Sequence, residues 1–237
     1  MSRANPDPLL ALFRAIAAGE PAAAARMLAR APGLARQPLA VGASRREAAE
    51  YFFPAIRHYA YAGDTALHIA AAAYDAETAG ALIARGAEVR ARNRRGAEPL
   101  HYATDGIPAA AWWNPDAQAA LIALLIGAGA DPNSADASGV APLHRAVRTR
   151  CAAAVAVLLE RGADPRRRNA SGSTPLHLAV QDTGRGGAGS DAARQQQAEI
   201  IALLLRHGAC PSDEGAGGKS VAQCATADWI RALLAAR

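Results

Sequence analysis

Gly172-Ser173-Thr174-Pro175-Leu176-His177-Leu178-Ala179 is the stretch whose reading decides the fold. Threonine directly before proline marks a helix start. The hydroxyl accepts from amides of the first turn, and proline at the first helical position gives up a donor the helix does not use. Weaker copies read Asp64-Thr65-Ala66-Leu67-His68-Ile69-Ala70, Gly96-Ala97-Glu98-Pro99-Leu100-His101-Tyr102-Ala103 and Gly139-Val140-Ala141-Pro142-Leu143-His144-Arg145-Ala146. A degenerate fifth copy reads Gly218-Lys219-Ser220-Val221-Ala222-Gln223-Cys224-Ala225.

Spacing carries more than the copies themselves. Each copy is followed by a second apolar stretch, with Leu82-Ile83, Leu125-Ile126, Leu158-Leu159 or Leu204-Leu205, and then by a glycine suited to ending a helix: Gly86, Gly129, Gly162 and Gly208. From that glycine to the next histidine position (His101, His144, His177, Gln223) the step is always 15 residues. From histidine to glycine it is 18 residues in the first and third copies, 28 in the second and 31 in the fourth. Both insertions therefore fall in the turn between paired helices, and the junction between copies is never altered. A stack demands this, because neighbours must keep one geometry while outward turns can lengthen.

The copies resemble the ankyrin repeat, whose T-P-L-H-x-A signature recurs at about 33 residues. The match extends over nearly the whole chain and is similar to bacterial members of that family. The resemblance implies an all-α solenoid of stacked helix–turn–helix units with hairpin-like fingers. It also implies a concave surface of fingers and first helices that binds another protein. The chain departs from the usual pattern at the interhelix turn, where the expected glycine is Tyr74 in the first repeat and Arg150 in the third. In the fourth finger, Gly-Ala-Asp is replaced by Gly208-Ala209-Cys210.

The expected organisation is one continuous domain. An N-terminal capping helix pair covers 1–34, with Leu9, Leu10, Leu12, Phe13 and Ile16 as its apolar stripe. An insertion covers 35–63. Ser44 and Glu47 form a capping-box pattern that predicts a helix there, ended or kinked by Pro54. Four repeats follow at 64–95, 96–138, 139–171 and 172–217. A C-terminal capping repeat, 218–237, closes the core with Trp229, Ile230, Leu233 and Leu234. The second repeat's insertion carries Trp112-Trp113, and the fourth's is Gly-rich over 183–190.

The chain has 237 residues, 51% hydrophobic and 20% charged, enough for a continuous core. Net charge is +5, almost all from arginine, since Lys219 is the lone lysine. Such a skew reflects base composition as readily as a basic partner. Cys151, Cys210 and Cys224 are odd in number and match no zinc spacing, so reduced thiols and a cytoplasmic location are expected. The first eight residues carry Arg3 and Asp7 and no secretory apolar region. The longest apolar run, 117–130, contains Gln118 and falls short of the roughly 20 residues a membrane span needs, so no membrane is expected.

Candidate sites narrow quickly. His68, His101, His144 and His177 stand one per repeat. Packed helices lie about 8–10 Å apart, whereas zinc holds its ligands at about 2 Å. The four cannot share an ion; each is expected to tie its own turn. Gly217-Gly218-Lys219-Ser220 ends like a phosphate loop, but Asp213 occupies the position of the required first glycine, and Ser220 reads as a helix cap. Serines, histidines, cysteines and carboxylates converge on no identifiable pocket, so neither catalysis, metal nor cofactor is expected.

Two groups remain as candidates for partner binding. One is the arginines: Arg90, Arg92, Arg94 and Arg95 on the first finger, Arg166, Arg167 and Arg168 on the third, and Arg145 and Arg148 on the third repeat's first helix. A guanidinium fork suits carboxylates, phosphates and aromatic faces. The other is aromatic: Tyr51, Phe52 and Phe53 in the first insertion, and Trp112 and Trp113. Interface cores favour aromatics, yet such rings also dock an insertion onto its own repeat. The reading is a monomeric, non-catalytic module binding an unidentified protein with an acidic segment. The second reading is an acidic polymer such as nucleic acid, which would show steep salt dependence; the third is an enzyme.

Overall fold

The computed structural model describes residues 7–44, 48–106, 113–181 and 190–235. Glu47, Trp112 and residues 183–189 lie outside them. The described residues form twelve α-helices and one two-stranded hairpin. The chain divides into two compact units, Met1–Ala103 with Ala120–Asp131, and Thr104–Ala119 with Pro132–Arg237.

The first unit opens with α1 (Pro8–Ala17) and α2 (Pro21–Arg30). Asp7 accepts the Leu9 amide at 2.9 Å, and prolines occupy the first position of both helices. A 3₁₀ turn, Pro32–Ala35, follows. The repeat helices here are α3 (Ala66–Ala72), α4 (Ala76–Ala84), α5 (Pro99–Ala103) and the residues of α6 (Pro115–Gly127) from Ala120 onward. First helices pack on first helices, α1 on α3 and α3 on α5, while α2 packs on α4. Leu9, Leu12, Phe13, Ile16, Leu67, Ile69, Leu82 and Leu100 make the buried core.

The insertion differs from expectation. In place of a helix, a 3₁₀ turn at Ala49–Tyr51 leads into β1 (Phe52–Phe53), which pairs antiparallel with β2 (His58–Tyr59). Consecutive aromatics favour extended backbone, and alternation sends Phe53 inward to Phe13, with ring centroids 6.4 Å apart. Phe52 faces the other way and stacks on Tyr59 at 4.7 Å. The rest is non-local. Leu39 and Ala43 donate amides to the carbonyls of Asp64 and Ala60, each at 2.7 Å, and the Arg94 amide reaches Ala62 at 2.8 Å. The insertion thus widens the first finger.

The second unit holds the start of α6, then α7 (Pro142–Arg148), α8 (Ala152–Glu160), α9 (Pro175–Ala179), α10 (Asp191–Arg206), α11 (Val221–Cys224) and α12 (Asp228–Ala235). The same pairing recurs: α7 with α9, α8 with α10, α9 with α11, α10 with α12. Of the aliphatic pairs on the second helices, the first member is fully buried each time: Leu82, Leu125, Leu158 and Leu204. Ile230 and Leu234 are buried at the C-terminal end, and Trp229 and Leu233 half-buried. Gly86, Gly129, Gly162 and Gly208 all have φ between +82° and +103°, the left-handed conformation that ends each second helix. No helix among the described residues is long and apolar enough to cross a membrane.

Candidate functional site

The histidines are structural on two sides. The Thr65, Glu98, Ala141 and Thr174 amides donate to Nδ1 of His68, His101, His144 and His177 at 3.1–3.2 Å. Nδ1 therefore accepts and the proton sits on Nε2. From there His68 donates to the Ala97 carbonyl and His144 to the Ser173 carbonyl, both at 3.2 Å and both 29 residues along the chain. Each ring ties its own turn, and His68 and His144 also tie the start of the next repeat, a bond the sequence did not suggest. Burial holds His68, His144 and His177 below the usual histidine range; Asp64, the Ser173 carbonyl and the Lys219 carbonyl respectively oppose that shift without cancelling it. Among the described residues no cluster of His, Cys, Asp or Glu is arranged to hold a metal ion.

Most candidate arginines are engaged from behind. Arg92 grips Glu98 Oε1 at 3.1 Å, and Arg90 lies between Glu98 at 3.8 Å and Asp131 at 3.5 Å. Arg94 donates to the Ala43 carbonyl, and the guanidiniums of Arg94 and Arg95 lie 5.2 and 5.0 Å from the Tyr61 ring centre. In the second unit, Arg166 forks onto Asp213 at 3.0 and 2.5 Å, and Arg168 donates to the Gly172 and Glu214 carbonyls. Arg167 is half-buried and Arg148 is exposed. Arg145 stands apart: its side chain is 10% exposed and spans Asp105 at 2.9 Å and Asp136 at 3.1 Å. It clamps the second repeat's turn to the second finger and has no face left for a partner.

The aromatic candidates divide. Tyr51 and Phe53 are buried and Phe52 is half-buried. Nearby, the buried Asp64 carboxylate accepts from the Tyr102 hydroxyl at 2.7 Å, Asn93 Nδ2 at 2.8 Å and the Tyr61 amide at 2.7 Å, which locks insertion, first repeat and first finger together. Trp113 is half-buried, its indole N–H bonded to Gln118 at 3.0 Å.

The thiols are unpaired with one another. Burial pushes the Cys151 thiol up to about 11. The Ser212 hydroxyl, 3.0 Å from Cys210 Sγ, draws that thiol below the usual value.

Comparison with known proteins agrees with the repeat register. Residues 124–179 match the family described as ankyrin repeats (many copies), and residues 62–94 and 171–215 match the single ankyrin repeat. Together the matches span more than half of the chain. No curated protein matches the sequence. Repeated helix pairs, the histidine ties of His68 and His144 to the following repeats and these matches agree: the chain belongs to the ankyrin repeat family.

Proposed function

We propose that the chain is a non-catalytic module that grips an acidic segment of another protein with its finger loops and first helices, the elements that line the concave face in this family. Ankyrin repeats are generally protein-interaction modules. The observation that carries the finer reading is how the finger arginines are held. Arg90, Arg92 and Arg166 are each anchored to a carboxylate, yet their side chains remain 49%, 51% and 59% exposed. A guanidinium has five N–H donors, and an anchored one has already lost its rotamer freedom. Binding then costs less ordering entropy than it would for loose side chains. The arginines concerned are Arg90, Arg92, Arg94 and Arg95 within the first unit and, taken separately, Arg148, Arg166 and Arg168 within the second.

The same carboxylates argue against an acidic polymer. Glu98, Asp131 and Asp213 each take up part of the finger arginines' charge, so the surface lacks the uncompensated basic stripe that phosphate-backbone binding draws on.

The test is affinity capture from native extract with mass-spectrometric identification, using the protein and an Arg95→Glu/Arg148→Glu/Arg168→Glu variant. These positions are exposed and spare the Arg166–Asp213 pair. The reading requires a protein held by the parent and lost by the variant. Capture indifferent to the three charges would overturn it.

A further inference from the structure

The first insertion turns alternate side chains inward and outward, and its outward row lies wholly within the first unit. Along β2 and the residues after it, His58 faces in, its ring centre 4.2 Å from that of Tyr102, and Ala60 is fully buried. Alternation sends Tyr59 and Tyr61 to the opposite side. Phe52 joins them there, stacked on Tyr59 at 4.7 Å. Val41 comes beside this row, because the next residue, Gly42, runs so close to Tyr61 that a Cβ on it would lie 2.4 Å from the Tyr61 carbonyl carbon. Among the described residues the exposed large hydrophobics are Val41, at 58%, and Tyr59, at 38%, and both belong to this insertion.

Charge adjoins the row at Tyr61, whose ring has the Arg94 and Arg95 guanidiniums against it. Arg90, Arg92, Arg145 and Arg166 each meet a carboxylate. Arg94 and Arg95 are exposed and meet none among the described residues; their contacts are the Tyr61 ring and, for Arg94, the Ala43 carbonyl. The backbone beneath is fixed. The Tyr61 amide donates to Asp64 at 2.7 Å, and the Arg94 amide donates to the Ala62 carbonyl at 2.8 Å. Apolar side chains and uncompensated cations thus stand together on a framework that is already ordered, which limits the entropy lost on binding.

We propose that this face anchors an aromatic side chain of the partner's acidic segment: the ring rests on Val41, Phe52 and Tyr59, and the carboxylates flanking it reach Arg94 and Arg95. The inference rests on the acidic-segment reading above and adds what that segment must contain. Charge complementarity selects the carboxylates. Exposed apolar surface beside the cations selects the ring, since a guanidinium fork needs no apolar neighbour to hold an acid. A single-stranded nucleic acid fits less well. Phe52 and Tyr59 are turned to each other and Tyr61 to guanidiniums, so they form no open series of faces on which successive bases stack.

The test is fluorescence anisotropy of labelled probes with the whole chain at matched ionic strength. The probes are a peptide with phenylalanine flanked by aspartates, the same peptide with alanine for phenylalanine, the same with serines for aspartates, and oligothymidylate. The phenylalanine–aspartate peptide binds saturably below about 1 mM and at least about ten-fold more tightly than either control peptide. Arg95→Glu loses a similar factor. Val41→Ser/Tyr59→Ser also loses about ten-fold for that peptide, the worth of a buried ring contact, yet keeps the parent's melting temperature and its affinity for the alanine peptide. Equal binding of the alanine peptide, or unchanged affinity in the serine variant, would overturn the anchor and leave the acidic-segment reading standing. Equal binding of the serine peptide, or indifference to Arg95→Glu, would bring that reading down as well. Absence of saturable binding, or tighter binding of oligothymidylate, would also overturn the proposal.

Discussion

Tyr74 and Arg150 occupy equivalent turns with φ of +54° and +60°, and they respond to glycine in opposite ways. A side chain in the left-handed region costs about 1–2 kcal/mol, and glycine returns about 0.5–1 of that through its freer unfolded chain. Arg150 is half-exposed, so Arg150→Gly should stabilise by about 0.5 kcal/mol on those terms, read as a higher urea midpoint. Tyr74 is buried at 7% exposure, and Tyr74→Gly should destabilise by more than about 2 kcal/mol because the lost packing outweighs the relief. The cysteines separate on similar grounds. Cys210, reachable and with its thiolate favoured by Ser212, should react with iodoacetamide in the native protein well before Cys151, whose thiol is buried and raised to about 11. Peptide mapping after a short pulse decides it, and early labelling of Cys151 would mean that the Thr149–Ala152 turn opens.

Among the elements, the first insertion and the Arg145 clamp show what the sequence could and could not reveal. The constant 15-residue junction was legible because it is local: caps, prolines and closing glycines all lie within one repeat. The insertion reads locally as a helix, but its fate is set by distant groups, Leu39 on Asp64 and Arg94 on Ala62, and no short-range pattern records them. Likewise the arginines were visible as charge but not as pairs, since Arg145 meets Asp105 across 40 residues and Arg166 meets Asp213 across 47. Two measurements probe these elements. Phe53→Ala should cost about 3 kcal/mol and Tyr59→Ala less than about 1, because the first ring is buried on Phe13 and the second is 38% exposed. Equal small costs would mean the insertion is not docked. Arg145→Ala leaves two carboxylates facing a void and should cost about 3 kcal/mol, the low end for a buried pair, since Asp105 is 28% exposed. Asp136 already pays for burial, but the Ser138 and Val140 amides and Arg145 outweigh it and hold that carboxyl below its usual range.

For the whole molecule, the repeated histidine makes stability depend on pH in a direction that can be worked out. His68, His144 and His177 belong to different repeats, and burial lowers all three below the unfolded value of about 6.5. A group that holds its proton less tightly when folded favours the unfolded state once protons are plentiful. Its contribution is complete above about pH 6.5 and is lost as pH falls from there toward the folded value. Asp136, also lowered, acts in the same sense further down, below about pH 4. The urea midpoint at fixed ionic strength should therefore be level between pH 8 and 7 and decline steadily from 6.5 to 5. The fifth copy supplies its own control. There Gln223 stands in the histidine position, and its Oε1 accepts the Ser220 amide at 2.8 Å, so a carboxamide can replace the ring at the cap without titrating. His144→Gln should keep the cap bond to Ala141, lose the bond to Ser173, and so be less stable than the parent at pH 7.5 yet flatter between 6.5 and 5. If the parent shows no decline over that range, or if the glutamine variant keeps the parent's slope, the junction histidines are not the groups that take up the proton.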